Sequence, residues 1–461
     1  MKTLHLTNAW HETSGGIATF YRALMAEADR RKQQIRLVVP GENDHVEEIG
    51  QFARIYYIQS PRSLFNRRYR SIYPGQYLSA GSKLQVILRT ERPDLVEICD
   101  KYTLNYLGPV LRRQLSSTLD FRPVVVGLSC ERMDDNFRTY IGRMPLARAF
   151  CSAYMKWVYF PFFDHHIANS EYTAEELWSA SRGHLVARGT WVRHMGVDLA
   201  HLSRQRRSNE ARGLLLQRSG GGKDSVLLLY VGRLVPEKNL GLLFGLMANL
   251  SQNKGRDFRL LVAGDGIEHG KWQEQTACDA PGRVHFLGHL TDRELLADLY
   301  ANSDVFIHPN PHEPFGIAPL EAMASGLPLI APDSGGVTSY ANQSNAWLAP
   351  PNVVEFAAAL DRALTDAEER RSRVSAALET ARRFDWTTVA ASFLDLYNEL
   401  HRSALSASEP SPAPAFYSTP AVGSNSVAVR SIARLAERTF KLLHSRRTAA
   451  EAMNSRAGSH A

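Results

Sequence analysis

Cysteine is scarce in this chain: 4 among 461 residues, namely Cys99, Cys130, Cys151 and Cys278. None forms a Cys-x-x-Cys pair, which excludes a zinc-ribbon-type site and a disulfide framework and points to a reducing compartment, the cytoplasm. Long apolar runs are missing too, since no stretch reaches the roughly 18 uninterrupted apolar residues of a membrane-spanning helix. The nearest one, 144–163, is broken by Arg148 and Lys156. The opening MKTLHLTNAWHE has neither an extended apolar core nor a small-residue cleavage site. It reads as a first strand and not as a secretion signal.

Two cores are expected, because 461 residues with 44% hydrophobic content exceed what one ordinary core serves. Short apolar runs alternate with helical stretches: Thr3–Thr7, Ile35–Val39, Leu95–Ile98, Val124–Leu128 and His166–Asn169, then Val226–Val231, Arg259–Ala263, Val284–Phe286, Val305–His308 and Leu327–Ala331. That alternation predicts an α/β chain of two doubly wound, Rossmann-like domains facing a cleft, with functional residues just after strands. The expected boundaries are 1–202, a linker at 203–224, a second domain at 225–387 and a terminal helix at 388–402 that packs back on the first domain. A Ser, Pro and Ala-biased flexible linker follows at 403–426, then a basic amphipathic helix and tail at 427–461. In that tail Val429, Ile432, Ala436, Phe440 and Leu443 share one helical face, with Arg430, Arg434, Arg438, Lys441, Arg446 and Arg447 largely elsewhere.

The formal charge is +7, from 54 Lys and Arg against 47 Asp and Glu. Much of the excess sits in clusters at 62–70 and 430–447, unaccompanied by any nucleic-acid motif, so a local anionic partner such as a membrane surface is the expectation and nucleic acid is not. Arg62, Arg67, Arg68 and Arg70 interleave with Phe65, Tyr69 and Tyr73, which suits a lipid-linked or anionic acceptor and equally a solvated basic loop.

The most informative stretch is HPNPHEPFGIAPLEAMASGLPLIAPDSGGV at 308–337. Glu313 and Glu321 flank a Phe315-Gly316-Ile317 loop that follows an apolar strand. Gly316 lets backbone approach a ligand, and the helix beginning near Pro319 offers unpaired N–H groups to an anion. Each carboxylate can accept two hydrogen bonds, which matches the paired hydroxyls of a ribose and a hexose. In VGRLVPEKNL, 231–240, Arg233 and Lys238 follow a strand end on a turn stiffened by Pro236. Two converging cations suit a diphosphate leaving group. Ser14-Gly15-Gly16, between the first strand and its helix, can turn backbone N–H groups toward a phosphate or an acceptor.

In these segments the chain resembles the retaining glycosyltransferases of family four, which have the GT-B architecture; the likeness spans 1 to about 402 and is strongest over 226–337. The resemblance implies transfer of a hexose from a nucleotide-diphosphate sugar to a hydroxyl of a glycan or lipid-linked acceptor, with retention of configuration and no further cofactor. It places the diphosphate on Arg233 and Lys238, the sugar hydroxyls on Glu313 and the ribose on Glu321. Further donor contacts fall to Phe315, Gly316, Ile317, Gly15, Gly16, Gly264 and Leu287, the last within a 286–290 segment that meets the base through its backbone. Many members carry a histidine after the strand equivalent to Val124–Leu128. Here Ser129-Cys130-Glu131-Arg132-Met133-Asp134 stands instead, leaving Glu131 or Asp134 as candidate sugar or acceptor contacts. No Asp-x-Asp pair is placed for a metal, so a metal-independent reaction is expected. GRLVPEK and GDGI look like segments of bacterial mannosyltransferases and favour GDP-mannose, with UDP-sugars close behind. The alternatives are a non-catalytic nucleotide-sugar-binding or membrane-scaffold protein on the same fold, or another enzyme of that scaffold such as an epimerase.

Overall fold

Every residue of Val124–Ser129 is buried, as expected of a strand covered on both faces, and runs of this kind organise two parallel sheets. The structure is a computed structural model and describes residues 1–11, 15–63, 69–79, 81–116, 119–141, 145–182, 189–252 and 255–406. The basic tail and the expected linker from residue 407 onward lie outside the described residues, as do Ser14, Phe65, Arg67 and Arg68.

The chain divides into two units, one of residues 194–389 and one that combines 1–193 with 390–406. The first unit's sheet contains β1 (Lys2–Thr7), β2 (Gln34–Gly41), β3 (His45–Glu48), β4 (Ala53–Gln59), β5 (Leu95–Cys99), β6 (Val124–Ser129), β7 (His165–Ala168) and β8 (Thr190–Val192). Their order is β3-β4-β2-β1-β5-β6-β7-β8, parallel throughout except for the antiparallel edge pair β3 and β4. The second unit carries β9 (Val226–Val231), β10 (Phe258–Ala263), β11 (Val284–Gly288), β12 (Val305–Ile307), β13 (Leu329–Pro332) and β14 (Trp347–Ala349). They run in order β11-β10-β9-β12-β13-β14, all parallel. Each sheet has its own apolar core, around Leu4, Leu6, Val96 and Val125 in one and Leu228, Leu260, Val262 and Ile330 in the other.

The stretch expected as a linker at 203–224 folds instead. Ser208 caps a helix over Asn209–Arg218, its side chain accepting from the Ala211 N–H at 3.0 Å, and Leu215 and Leu216 are buried. Arg206 pairs with Glu294 at 2.7 Å and Asp298 at 2.8 Å, so this segment belongs to the second unit, which starts at His194. With only two buried leucines in ten residues, the helix shows little amphipathic signal in sequence.

The apolar segment 144–163 forms a helix over Pro145–Tyr154, widens into a π-turn at Met155–Tyr159 and closes with one tight turn at Phe160–Phe162. Cys151, Tyr154, Met155, Tyr159 and Phe160 are buried, while Trp157 stands exposed. No helix among the described residues is long and apolar enough to cross a membrane.

A last helix, Trp386–Ser406, carries the chain from the second unit to the first. Within the first unit Phe393 packs on Phe20 with ring centroids 4.8 Å apart. The Tyr397 hydroxyl donates to the buried Glu97 carboxylate, which also accepts from the Tyr21 hydroxyl at 3.0 Å and lies 3.0 Å from His5 Nδ1.

Candidate functional site

In a doubly wound sheet the chain leaves its central strand first to one side and later to the other, and loops at the carboxyl ends diverge at that switch point to leave a crevice. In the second unit the switch point lies between β9 and β12. Lys238 follows β9 and Glu313 follows β12, and across the crevice the Lys238 ammonium meets both Glu313 oxygens, at 3.0 and 2.8 Å. Asn310 Nδ2 donates a third hydrogen bond to the same carboxylate at 3.0 Å. The Glu313 side chain is only 12% exposed. Burial alone would push its pKa up; the Lys238 charge and these hydrogen bonds outweigh burial and hold it at about 2. His308, whose Nε2 lies 3.7 Å from Glu313, is held down at about 4, chiefly by burial, and is therefore neutral near pH 7. At that pH the ion pair rests on Lys238.

The turn carrying the two cations begins where β9 ends. The Arg233 side chain is 50% exposed and pairs with Glu237 at 3.1 Å, and the Tyr230 hydroxyl donates to the Arg233 carbonyl at 3.1 Å. Pro236–Lys238 forms a single tight turn, and Asn239, in a left-handed conformation at φ 52°, ties it to the β12 loop by donating to the Pro309 carbonyl at 2.9 Å. Gly264 takes φ +147°, and a Cβ there would stand 1.9 Å from the Gly232 carbonyl oxygen, so no larger residue fits. Its N–H donates to the Gly288 carbonyl at 2.8 Å, and the Gly232 N–H donates to the Ala263 carbonyl at 3.0 Å. The loops after β9, β10 and β11 are thereby laced together, which brings Gly264 beside the cation-bearing turn and Gly288, the neighbour of Leu287, beside Gly264. The Leu287 side chain lines a cavity of about 590 Å³ with Leu261, Phe286, Leu290 and Leu295.

On the β12 side, Gly316 caps the helix Ile317–Ala324 at φ +90°, where its missing side chain avoids the Tyr340 hydroxyl and Val337, each 3.0 Å from the place of a Cβ. The helix starts two residues before Pro319, so its first N–H groups belong to Ile317 and its neighbour. Phe315 is 2% exposed, and its ring packs among His194, Tyr340 and Phe384. Glu321 accepts a hydrogen bond from the Tyr300 hydroxyl at 2.7 Å, and burial raises its pKa. His308, Asn310 and Tyr300 are site residues that the sequence reading passed over. The first two lie inside or beside the quoted motif, and Tyr300 sits on another helix with no local pattern to mark it.

The remaining candidates belong to the first unit. Gly15 and Gly16 begin the helix Gly16–Arg30 that follows β1. Past the end of β6, the Glu131 carboxyl accepts from Asn136 Nδ2 at 2.9 Å and is pushed up by burial. The buried Lys101 ammonium donates to the Glu131 carbonyl and to Glu176, both at 2.5 Å. Asp134 is bound by Arg132 at 2.8 Å and is held low by that pairing against the opposing effect of burial.

Known proteins match both units. Residues 14–201 match the family described as Glycosyltransferase Family 4, and residues 215–380 match Glycosyl transferases group 1. A GDP-mannose-dependent alpha-mannosyltransferase of Mycobacterium tuberculosis (strain CDC 1551 / Oshkosh) is 31% identical over 316 residues, covering 67% of this chain and 74% of that protein. A GDP-mannose-dependent alpha-(1-6)-phosphatidylinositol dimannoside mannosyltransferase of M. tuberculosis (strain ATCC 25177 / H37Ra) is 28% identical over 402 residues, 86% of this chain and 95% of that one. Sucrose-phosphate synthase from Thermosynechococcus elongatus shares the fold, with a TM-score of 0.69 at 21% identity over 87% of this chain and 100% of its own.

Proposed function

Because this chain belongs to glycosyltransferase family 4, whose members transfer a hexose from a nucleotide sugar, we propose that it moves mannose from GDP-mannose to a hydroxyl of a glycan or lipid-linked acceptor. The observation that carries this reading is the Lys238–Glu313 pair at the switch point of the second unit. Arg233 and Lys238 neutralise the donor diphosphate and the charge that builds on it as the sugar leaves. Glu313 accepts hydrogen bonds from the sugar hydroxyls, and Glu321 from the ribose. The N–H groups that open the Ile317–Ala324 helix face the phosphates, and the backbone of Gly264 and the 286–290 segment meets phosphate and base.

A carboxylate held at about 2 is a weak base, so Glu313 is suited to orient the sugar and not to remove the acceptor's proton. The departing phosphate takes that proton, which keeps the nucleophile and the leaving group on one face of the sugar and retains its configuration. With two cations already at the diphosphate, the reaction proceeds without a metal. On the first unit, Gly15 and Gly16 serve the donor and the Glu131 carboxyl the sugar or acceptor. Asp134, occupied by Arg132, shapes the loop.

Thermal-shift measurements test the donor. A ligand at 100 times its dissociation constant adds about 2.7 kcal/mol, roughly 5–10 °C for a unit of this size. GDP-mannose is expected to give that rise; a rise with UDP- or ADP-sugars and none with GDP-mannose rejects the assignment.

The basic segment 427–461 holds the enzyme at an anionic membrane surface, each basic residue near the surface adding roughly 1 kcal/mol. Full-length protein is expected to float with phosphatidylserine vesicles and protein lacking 425–461 to stay behind. Equal flotation of both removes the tail from the argument.

A further inference from the structure

His308 is a buried member of the site to which the scheme above gives no task. It follows β12, and its N–H donates to the Ile330 carbonyl of β13 at 2.9 Å. Its side chain is 6% exposed, and Nε2 has no hydrogen-bond partner. The facing atom is Glu313 Oε2, at 3.7 Å, beyond hydrogen-bond reach by several tenths of an ångström. A buried ring nitrogen left unpaired so close to a carboxylate is unfavourable unless another state of the site uses it.

Lys238 supplies that state. Its ammonium now serves both oxygens of Glu313, yet a donor diphosphate requires the same ammonium. When Lys238 turns to the phosphates, Glu313 keeps Asn310 and loses its cation. We propose that His308 is a positioning residue that takes over the Glu313 carboxylate when Lys238 engages the diphosphate, charging itself with a proton from solvent. This inference rests on Lys238 being a diphosphate ligand.

The charged groups acting on the ring are Glu313 and Lys238. Tyr230 and Tyr340, which lie in the field of Glu313, are raised by burial and stay neutral. In the free protein burial and the Lys238 charge together keep the ring neutral against the pull of Glu313. A diphosphate cancels the Lys238 repulsion, leaves the attraction of Glu313, and so favours the imidazolium.

Calorimetric titration of full-length protein with GDP and with UDP at pH 6, in two buffers of different ionisation enthalpy, counts the protons exchanged on binding. Proton loss by the diphosphate itself is common to wild type and variant, so their difference reports His308. Wild type is expected to take up a fraction of a proton that His308→Asn does not, with nucleotide still bound. His308→Gln gives the same reading if the Asn variant melts at a lower temperature. Equal proton counts in wild type and variant overturn the takeover and leave the donor site standing. Failure of folded wild type to bind either diphosphate overturns the donor site, and the takeover with it.

Discussion

Glu313→Gln is expected to lower kcat by roughly 10²–10³-fold while nucleotide affinity stays within a few-fold of wild type. Glutamine preserves the shape of the side chain and one carbonyl acceptor, but it removes the charge that Lys238 and Asn310 hold in place at 2.8 to 3.0 Å. A neutral amide accepts hydrogen bonds from sugar hydroxyls more weakly than a carboxylate. It also presents an N–H₂ to a lysine, so the clamp loosens on both sides. The proposed diphosphate contacts through Arg233 and Lys238 are untouched, which separates the effect on turnover from the effect on binding. Transfer from labelled GDP-mannose, measured beside calorimetric GDP binding, gives both numbers. Turnover within ten-fold of wild type would show that the sugar is oriented by something other than this carboxylate.

Lys238→Met is expected to produce the second large effect, on stability as well as activity. It leaves a carboxylate that is 12% exposed without its cation, an arrangement that costs about 3–5 kcal/mol in comparable buried pairs. The dependence on pH identifies the cause. In wild type Glu313 sits at about 2, below the 4.5 of an ordinary glutamate, so its ionised form stabilises the fold by about 3 kcal/mol above pH 4.5. That contribution is lost as pH falls from 4.5 toward 2. In the variant the lysine no longer opposes burial, so a proton is taken up at Glu313 or, by the takeover proposed above, at His308; the sign reverses and acid relieves the penalty. Urea unfolding at pH 7 and pH 4 is therefore expected to show a gap between the two proteins that narrows in acid. A gap independent of pH would mean that the lysine acts through packing and not through Glu313. GDP affinity is expected to fall by roughly ten-fold or more, the effect of removing one charge-assisted contact.

Legibility in the sequence followed burial. Strands β9, β10, β12 and β13 are buried over most of their length and read as continuous apolar runs. Strand β4, ARIYYIQ, escaped because its residues alternate between buried and half-buried, and β8 and β14 escaped because they are as short as β12 without being buried throughout. The edge strand β3, HVEE, is exposed at all four positions and has no apolar face to read. The motif around Glu313 was legible because loop, cap and helix are contiguous in sequence. Lys238 was legible as a cation for the diphosphate, but its pairing with Glu313, 75 residues away, was not, nor was Tyr300, which reaches Glu321 from the preceding helix. The Phe315 ring illustrates a different gap, since the motif marks the position without showing that the ring is buried among His194, Tyr340 and Phe384. His308 was visible inside the motif, but an isolated histidine after a strand reads as core.

The helix Trp386–Ser406 fixes an order of events. Glu97 and His5, near the start of the chain, are completed by Tyr397, 300 residues after Glu97. A nascent polypeptide stopped before residue 390 holds a whole second sheet and a first sheet whose buried carboxylate still lacks one of its hydroxyl donors. The buried cluster of the first unit therefore closes only with a segment synthesised after every strand of the second sheet.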